Sequence, residues 1–381
     1  MTLASTSRAD LIRKLGELRK STILTYVTSD RDGGPPIIMA EDAIRPMFDH
    51  LQGRESRTDR IDLFIYSRGG DVAVPWRIVS MMREFCNRFS VIVPYHAHSA
   101  ATLVALGANE IVLGPKAELG PIDPSITRVG ARGQPEEIST EHVMSYLHFL
   151  REGVGLTEQA SLTRLVESLA NGVQPLTLGT VYALHSHVRM VAEKMLRLHM
   201  RNEQTIQAIV SALVERMHLH GHAIGRKEAK SLGLNIVSAS DELEQAIWSL
   251  FRSYEDELKL RESFDPETQL NNAAKDEFMV PMTLACIESE MGSSKMQGIA
   301  VIRREREGPQ NMTININAAL PQEVIDALTD EQAARLRSVL NEVSIAAKEA
   351  VISQLPVKDV RVEMKEVIWT GLTPWDGPPP T

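Results

Sequence analysis

The chain has 381 residues, and its 41 Lys and Arg against 50 Asp and Glu give a formal net charge of −9. At roughly 100–200 residues per domain, this length predicts two domains or three. An apolar share of 43% excludes wholesale disorder. The negative charge and an aromatic share of only 5% argue against a nucleic-acid-binding protein, which needs clustered cations or stacking rings.

The sequence predicts no membrane span, because no run of about 18 apolar residues occurs. The longest apolar stretch, Ala100–Ala108, is about half that length. The first ten residues lack a basic segment followed by an apolar one, which argues against a secretory signal. The two cysteines, Cys86 and Cys286, have neither metal-site spacing nor the number that a disulfide framework needs. These features predict a cytoplasmic protein.

The chain up to residue 113 alternates between helical and strand-like patterns. Apolar periodicity predicts helices at Leu11–Leu18, Ala40–Leu51, Val72–Phe85 and Ser99–Gly107. Apolar or β-branched runs predict strands at Ser21–Val27, Ile61–Tyr66, Ser90–Tyr95 and Glu110–Leu113. Strands and helices alternating at this spacing predict right-handed βαβ crossovers and a mostly parallel sheet.

Beyond residue 140 the pattern becomes helical. Apolar residues at steps of three and four predict one long amphipathic helix over Val181–Leu198 and a second over Ile206–Met217. The character of the sequence changes again after about residue 238. We therefore predict an N-terminal helix at 1–20, a first domain at 21–238, and a C-terminal α/β extension at 239–381 with a polar linker and a loose tail.

In open parallel sheets, ligands bind beyond the carboxyl ends of the strands. Two segments of this sequence follow predicted strands in that position. Gly69 and Gly70 follow the strand predicted at Ile61–Tyr66, and paired glycines permit a sharp turn with unshielded N–H groups, which is either an oxyanion site or a structural turn. Ser99 follows the next strand and begins a helix of small residues. It is therefore either a nucleophile or a helix cap.

The motifs resemble a known group of proteins when they are taken together in chain order. They are Gly69–Asp71, Ser99–Thr102, Leu119–Pro124, Pro175–Gly179 and His220–Ile236. In this order they resemble the proteolytic subunit of the Clp protease and signal peptide peptidase A, which share the crotonase-type fold, and most nearly the serine dehydrogenase proteinase family. The resemblance covers residues 20–240. It implies a ClpP/crotonase-like α/β fold and a serine-type endopeptidase, a hydrolase that needs no cofactor and no metal.

The resemblance also implies an oxyanion hole. Ser99 takes the place of the nucleophile. The backbone N–H groups of Gly70 and Ala100 take the places of the two oxyanion donors, and Gly69 shapes the turn between them.

In the serine dehydrogenase proteinase family the catalytic triad has the chain order Ser, Asp, His. The resemblance therefore implies that Asp123 and His220 complete the triad with Ser99. Clp-type subunits have a histidine at about the place of Asp123 and an aspartate at about the place of His220. A triad depends on geometry rather than on chain order, so the exchange is compatible with catalysis. It requires His220 to reach past Asp123 to the serine.

Other bases compete for this role. His98 adjoins the nucleophile, but neighbours at a strand–helix junction usually point apart, and packing is the alternative. Lys116 is the nearest downstream lysine, in keeping with the lysine base of signal peptide peptidase relatives, but it lies in a turn where solvation is the alternative. His218, His220 and His222 would share one face of a strand and suit zinc, although loop histidines are the simpler interpretation.

The expected partners are a peptide or unfolded protein substrate and further copies of the chain, in a ring or stacked rings. No Gly-x-x-x-x-Gly-Lys-Ser/Thr run occurs, so an unfoldase or regulator would be a separate protein. Two alternative functions remain open. One is a catalytically silent scaffold or adaptor with the same fold. The other is acyl-CoA chemistry of the crotonase type, which a serine at position 99 disfavours.

Overall fold

The computed structural model describes residues 7–52, 57–122, 125–129, 135–139, 143, 145–146, 149–156, 158–172, 174–215, 223–273, 275–307 and 329–375. The chain divides into two compact units. The first contains Met1–Ser263, Thr283–Gln297 and Ile368–Thr381, and the second contains Phe264–Met282 and Gly298–Val367.

The described helices, in chain order, are α1 (Arg8–Arg19), α2 (Ile44–Leu51), α3 (Val74–Phe85), α4 (Ala100–Leu106), α5 (Gln159–Gly172), α6 (Pro175–Arg197), α7 (Glu203–Val210), α8 (Arg226–Ser231), α9 (Asp241–Glu257), α10 (Pro266–Ala273) and α11 (Asp330–Ser353). The described strands are β1 (Thr22–Thr28), β2 (Thr58–Tyr66), β3 (Cys86–Val93), β4 (His96–Ala97), β5 (Glu110–Leu113), β6 (Glu118–Leu119), β7 (Ser125–Val129), β8 (Pro135–Ser139), β9 (Ile224–Gly225), β10 (Ile236–Val237), β11 (Glu277–Ser289), β12 (Gly292–Arg306) and β13 (Val357–Trp369).

A parallel sheet with the strand order β10-β5-β3-β2-β1 forms the centre of the first unit. The end of β11 continues it, antiparallel to β1, with Ser289 opposite Leu24. The apolar part of β2, Ile61–Tyr66, is buried throughout, as expected of a central strand covered on both faces. The predicted α/β fold with a mostly parallel sheet is confirmed.

Side chains of β2 alternate between two apolar layers. Leu63 and Ile65 face a cluster that includes buried residues of α3, α4 and α6. Phe64 and Tyr66 face the other cluster, which contains buried residues of α1 and α9. All the strands and helices predicted before residue 113 are present, although β3 begins at Cys86, directly after α3, rather than at Ser90. The sheet is thus covered on both faces, and its carboxyl edge stays available for a site.

The second unit, taken by itself, contains α10, α11 and parts of β11, β12 and β13. Asp276 pairs there with Arg304 and Arg306. No helix among the described ranges combines the length and the apolar character that crossing a bilayer requires.

His50 is a fully buried histidine of α2, and its ring contacts the hairpin formed by β11 and β12. Its Nδ1 lies 2.9 Å from the Ser289 hydroxyl, and its Nε2 lies 3.2 Å from the Ser294 hydroxyl. Burial lowers the pKa of His50 from 6.5 to about 4. The folded protein therefore holds this imidazole neutral at a pH where the unfolded chain takes up a proton.

We expect the protein to lose stability as the pH falls from 6.5 toward 4. In that range the unfolded chain binds one proton more than the folded chain at this residue, so acid favours unfolding, by about 3 kcal/mol in total. Chemical denaturation at a series of pH values measures the loss. His50→Gln should lower the stability at pH 7 but give a flatter dependence below pH 6.5. An equally steep dependence in that variant would assign the proton uptake to another group.

Candidate active site

The glycine turn after β2 packs directly against the serine predicted as nucleophile. Gly69 has φ +99° and Gly70 has φ +155°, conformations that a side chain rarely adopts. A Cβ atom on Gly69 would lie 2.8 Å from Cβ of Ser99. A Cβ atom on Gly70 would lie 2.3 Å from the carbonyl oxygen of Met39. Only glycines allow the three segments to approach this closely.

Backbone hydrogen bonds hold this turn to the segment before α2. The Met39 N–H donates to the Gly69 carbonyl at 2.7 Å, and the Asp71 N–H donates to the Met39 carbonyl at 2.9 Å. The buried Ser67 hydroxyl accepts the Gly69 N–H at 3.1 Å. These bonds use the donors on both sides of Gly70 and leave its own N–H without an acceptor in the described part of the chain.

Ser99 adopts a strained backbone conformation, with φ +50° and ψ −115°. Such left-handed values in a residue with a side chain cost on the order of 1–3 kcal/mol and persist where the surroundings enforce them. Ser99 precedes α4, but its side chain caps no N–H of that helix. Its own N–H donates to the Pro121 carbonyl at 3.2 Å, and the residue is partly exposed. Its hydroxyl is therefore not used as a helix cap.

A second N–H lies beside this serine. Ala100 is the first residue of α4, and its N–H has no acceptor within the described ranges. A Cβ atom on Gly69 would lie 2.9 Å from this nitrogen, so the Ala100 N–H borders the glycine turn. The Thr102 hydroxyl, 2.8 Å from the carbonyls of both Ala97 and Gly120, fixes the start of α4 against β4 and the end of β6. Two N–H groups without an acceptor in the described ranges thus adjoin this turn, one on Gly70 and one on Ala100, which directly follows Ser99.

His98, considered as a base, is engaged with a carboxylate. Its Nε2 lies 2.9 Å from Oε1 of Glu118, and its ring rests on Gly120, where a Cβ atom would come within 2.6 Å of the ring. Burial and the neighbouring His96 lower the pKa of His98, and the Glu118 carboxylate opposes them only in part. The ring therefore stays neutral at pH 7 and packs beside β6.

His96 belongs to a further polar network at the same edge of the sheet. Its Nε2 lies 3.1 Å from Oδ2 of Asp30, and the Tyr66 hydroxyl and the Arg68 guanidinium donate to the same carboxylate. Burial alone would raise the pKa of Asp30, but the hydrogen bonds from His96, Tyr66 and Arg68 outweigh it and hold that pKa well below its usual range. Asp30 therefore carries a fixed negative charge behind His96.

Lys116 is exposed in the turn before β6. Its Nζ lies over the ring of Trp248 in α9, 5.1 Å from the ring centroid. This geometry is a cation–π contact at the surface.

Asp123 and His220 lie outside the described residues, as do His218 and His222. The residues that flank these undescribed segments are described. Ser99 bonds to the Pro121 carbonyl, and the Ile122 N–H donates to the Leu213 carbonyl at 3.0 Å. β9 begins at Ile224, which pairs with Leu119 of β6. Both flanks of the segment that contains His220 are therefore fastened to the stretch 118–122, which also holds Ser99.

Sequence reasoning missed the roles of Asp30, His96 and Glu118. The only signal was the His-x-His pattern at His96 and His98, which puts two imidazoles on one side of an extended chain. Asp30 comes from a loop after β1 and Glu118 from a two-residue strand, and neither has a pattern of its own in the sequence.

Comparison with known proteins supports the resemblance found in the motifs. Residues 1–138 match the family model of ClpP-like SDH-type serine proteinases. The resemblance is thereby confirmed over this segment, which contains Gly69, Gly70, Ser99 and Ala100. An uncharacterized protein of Methanocaldococcus jannaschii, MJ0137, is 24% identical over 265 residues, which cover 67% of this chain and 81% of that protein.

Solved structures are also similar to this chain. ClpP1 from Listeria monocytogenes is 17% identical, and the TM-score is 0.31. The alignment covers 61% of this chain and 99% of the ClpP1 chain. The membrane-bound stomatin-specific protease 1510-N, in complex with a substrate peptide, is 13% identical, with 58% and 77% covered and a TM-score of 0.34.

Proposed function

We propose that the chain is a serine peptidase in which Ser99 attacks the carbonyl carbon of a peptide bond. The observation that carries this proposal is the conformation of Ser99, which is strained, partly exposed and free of a capping role. The N–H groups of Gly70 and of the adjacent Ala100 have no acceptor among the described residues. Strain is kept at functional sites more often than elsewhere. The match of residues 1–138 to a family of serine proteinases supports the same reaction.

The Gly70 and Ala100 N–H groups are the proposed oxyanion hole. When the Ser99 oxygen bonds to the carbonyl carbon, negative charge develops on the carbonyl oxygen, and two fixed N–H donors stabilise it. The base takes the Ser99 hydroxyl proton during this attack and then gives it to the amine as the C–N bond breaks, which leaves an acyl-enzyme on Ser99. A water molecule hydrolyses this ester by the same steps, and the serine is regenerated. No cofactor enters this sequence.

His220 is the proposed base, and Asp123 is proposed to orient it. Support comes from the described residues on either side of Asp123 and His220. Asp123 lies two residues after Pro121, whose carbonyl accepts the Ser99 N–H. His220 precedes Ile224 by four residues, which span at most about 14 Å when extended. Both residues therefore start from anchors on the stretch 118–122, within reach of Ser99.

We expect His220→Ala to abolish covalent labelling of Ser99 by a fluorophosphonate, because without a base the serine hydroxyl is a weak nucleophile. Loss by at least about 10³-fold in the labelling rate is the expected scale. Lys116→Ala should label at the wild-type rate, since its ammonium lies over Trp248 at the surface. The reverse pattern would replace the triad by a serine–lysine pair, and loss only in His98→Ala would make His98 the base.

A homo-oligomer is proposed together with this activity. Large apolar side chains are exposed on α6 in the isolated chain, with Leu176 84% and Tyr182 68% exposed. Apolar side chains in such positions are commonly covered by a partner. The cytoplasmic location and a separate unfoldase stay predictions, as does the endopeptidase specificity. Light scattering on the purified chain gives the number of copies.

A further inference from the structure

Strand pairing beside the proposed active site places three metal-ligating side chains on one face. β4 pairs with β6 in parallel, so that His96 lies opposite Glu118. His98 follows His96 by two residues, and in extended chain it therefore projects on the same side. One potential ligand atom from each of the three residues lies within 4.8 Å of those of the other two.

The surroundings hold both imidazoles in place. The His96 ring contacts the rings of Tyr66 and Tyr95, with ring centroids 4.5 Å and 4.3 Å away. The His98 ring lies against Gly120, which has no side chain to displace it. Rings fixed in this way lose little freedom when an ion binds, which is what a preorganised site requires.

Asp30 supplies the outer partner that a metal-binding histidine usually has. Its Oδ2 lies 3.1 Å from Nε2 of His96, and it is itself fixed by the Tyr66 hydroxyl at 2.7 Å. A carboxylate on one imidazole nitrogen sets the tautomer and makes the other nitrogen a better ligand. With Nε2–H donating to Asp30, Nδ1 of His96 carries the lone pair.

No described side chain covers one flank of this group. β6 pairs on its other side with β9, antiparallel, and places Gly225 opposite Glu118. A Cβ atom on Gly225 would meet no atom of the described residues within 4 Å. The side chains of His98 and Glu118 are 21% and 28% exposed. An ion and a water ligand can therefore reach the group from solvent.

We propose that His96, His98 and Glu118 bind one divalent transition-metal ion, with zinc as the best fit. Two imidazoles, one carboxylate and an open position form a typical three-ligand zinc set, whereas calcium and magnesium prefer oxygen ligands alone. Tetrahedral zinc holds its ligands about 3.4 Å apart. Nε2 of His98 and Oε1 of Glu118 already lie 2.9 Å apart, and all three ligand atoms lie within 4.8 Å of one another, so small side-chain rotations suffice.

The ion would sit one residue from the proposed nucleophile. His98 directly precedes Ser99, and its N–H donates to the Ser67 carbonyl at 3.0 Å at the start of the glycine turn. Metal binding would therefore stiffen the segment that holds Ser99. The site itself needs no peptidase activity, so its test is separate from that of the proposed function.

The test uses the full chain, freed of metal with a chelator and then titrated with Zn²⁺ against a chromophoric competitor. We expect one tightly bound ion per chain, and with Co²⁺ the intense visible absorption of a four-coordinate ion. His98→Ala and Glu118→Gln should each weaken binding at least about 100-fold, and Asp30→Asn should weaken it about 10- to 100-fold through its partner His96.

His187→Ala is the matched control, because His187 also belongs to a His-x-His pair but is exposed on α6. It should bind zinc as the wild type does, and so should His220→Ala. Circular dichroism in chelator verifies that each variant is folded. Absence of stoichiometric zinc in the wild type overturns the proposal, and so does binding that survives in His98→Ala. Binding lost in His220→Ala but kept in His98→Ala would place the ion elsewhere and also overturns it.

Discussion

Ser99→Ala is expected to abolish both peptide hydrolysis and covalent labelling by a fluorophosphonate, with a loss of about three to six orders of magnitude in rate. The reason is that the serine oxygen forms the bond to the substrate, and no other group in the glycine turn can replace it. Alanine removes one oxygen atom and no described hydrogen bond, since the Ser99 side chain makes no cap contact with α4. The folded structure should therefore be unchanged.

Ser231→Ala is the matched control for this experiment. Ser231 is an exposed serine at the end of α8, where its hydroxyl donates to the Glu228 carbonyl. The control should label at the wild-type rate, and cooperative unfolding of both variants verifies that they are folded. If folded wild-type protein takes up no probe, the scaffold or adaptor hypothesis replaces the peptidase. If Ser99→Ala still labels, another residue is the nucleophile.

The parallel part of the fold could be predicted because its signals are local. The apolar run at Ile61–Tyr66 and the helical spacing at Val72–Phe85 each belong to one element, and alternation of such elements leaves few topologies. The antiparallel continuation of the sheet could not be predicted in this way. β11 pairs with β1 across more than 250 residues of chain, with Ile287 opposite Tyr26, and no local pattern encodes a partner that distant.

In the candidate site, too, the features with a local sequence signal could be predicted, and those that depend on distant contacts could not. The Gly69–Gly70 turn and Ser99 stand out in the sequence, because their chemistry depends on residue type at the ends of strands. The backbone angles of Ser99 depend instead on contacts with Pro121 and the glycine turn. The pairing of His98 with Glu118 depends on the register of two very short strands, which have no periodicity to detect.

Gly70→Ala is expected to slow fluorophosphonate labelling of Ser99 by about 10²- to 10³-fold, the effect of losing one oxyanion donor. A Cβ atom on Gly70 would lie 2.3 Å from the Met39 carbonyl oxygen and 2.5 Å from the Met39 nitrogen. Both are backbone atoms and cannot rotate away as a side chain would. The turn must therefore shift, and the Gly70 N–H moves off the position where the oxyanion develops.

Gly179→Ala is the control, because a Cβ atom there meets no atom of the described residues within 4 Å and the residue belongs to α6 rather than to the turn. It should label at the wild-type rate and be stabilised by about 0.5–1 kcal/mol, since alanine favours a helix over glycine. Gly69→Ala, whose Cβ atom would lie 2.8 Å from Cβ of Ser99, should slow labelling in the same direction. Cooperative unfolding of each variant separates a shifted turn from a lost fold. A folded Gly70→Ala protein that labels at the wild-type rate would remove Gly70 from the oxyanion hole and leave Ala100 as its one proposed donor.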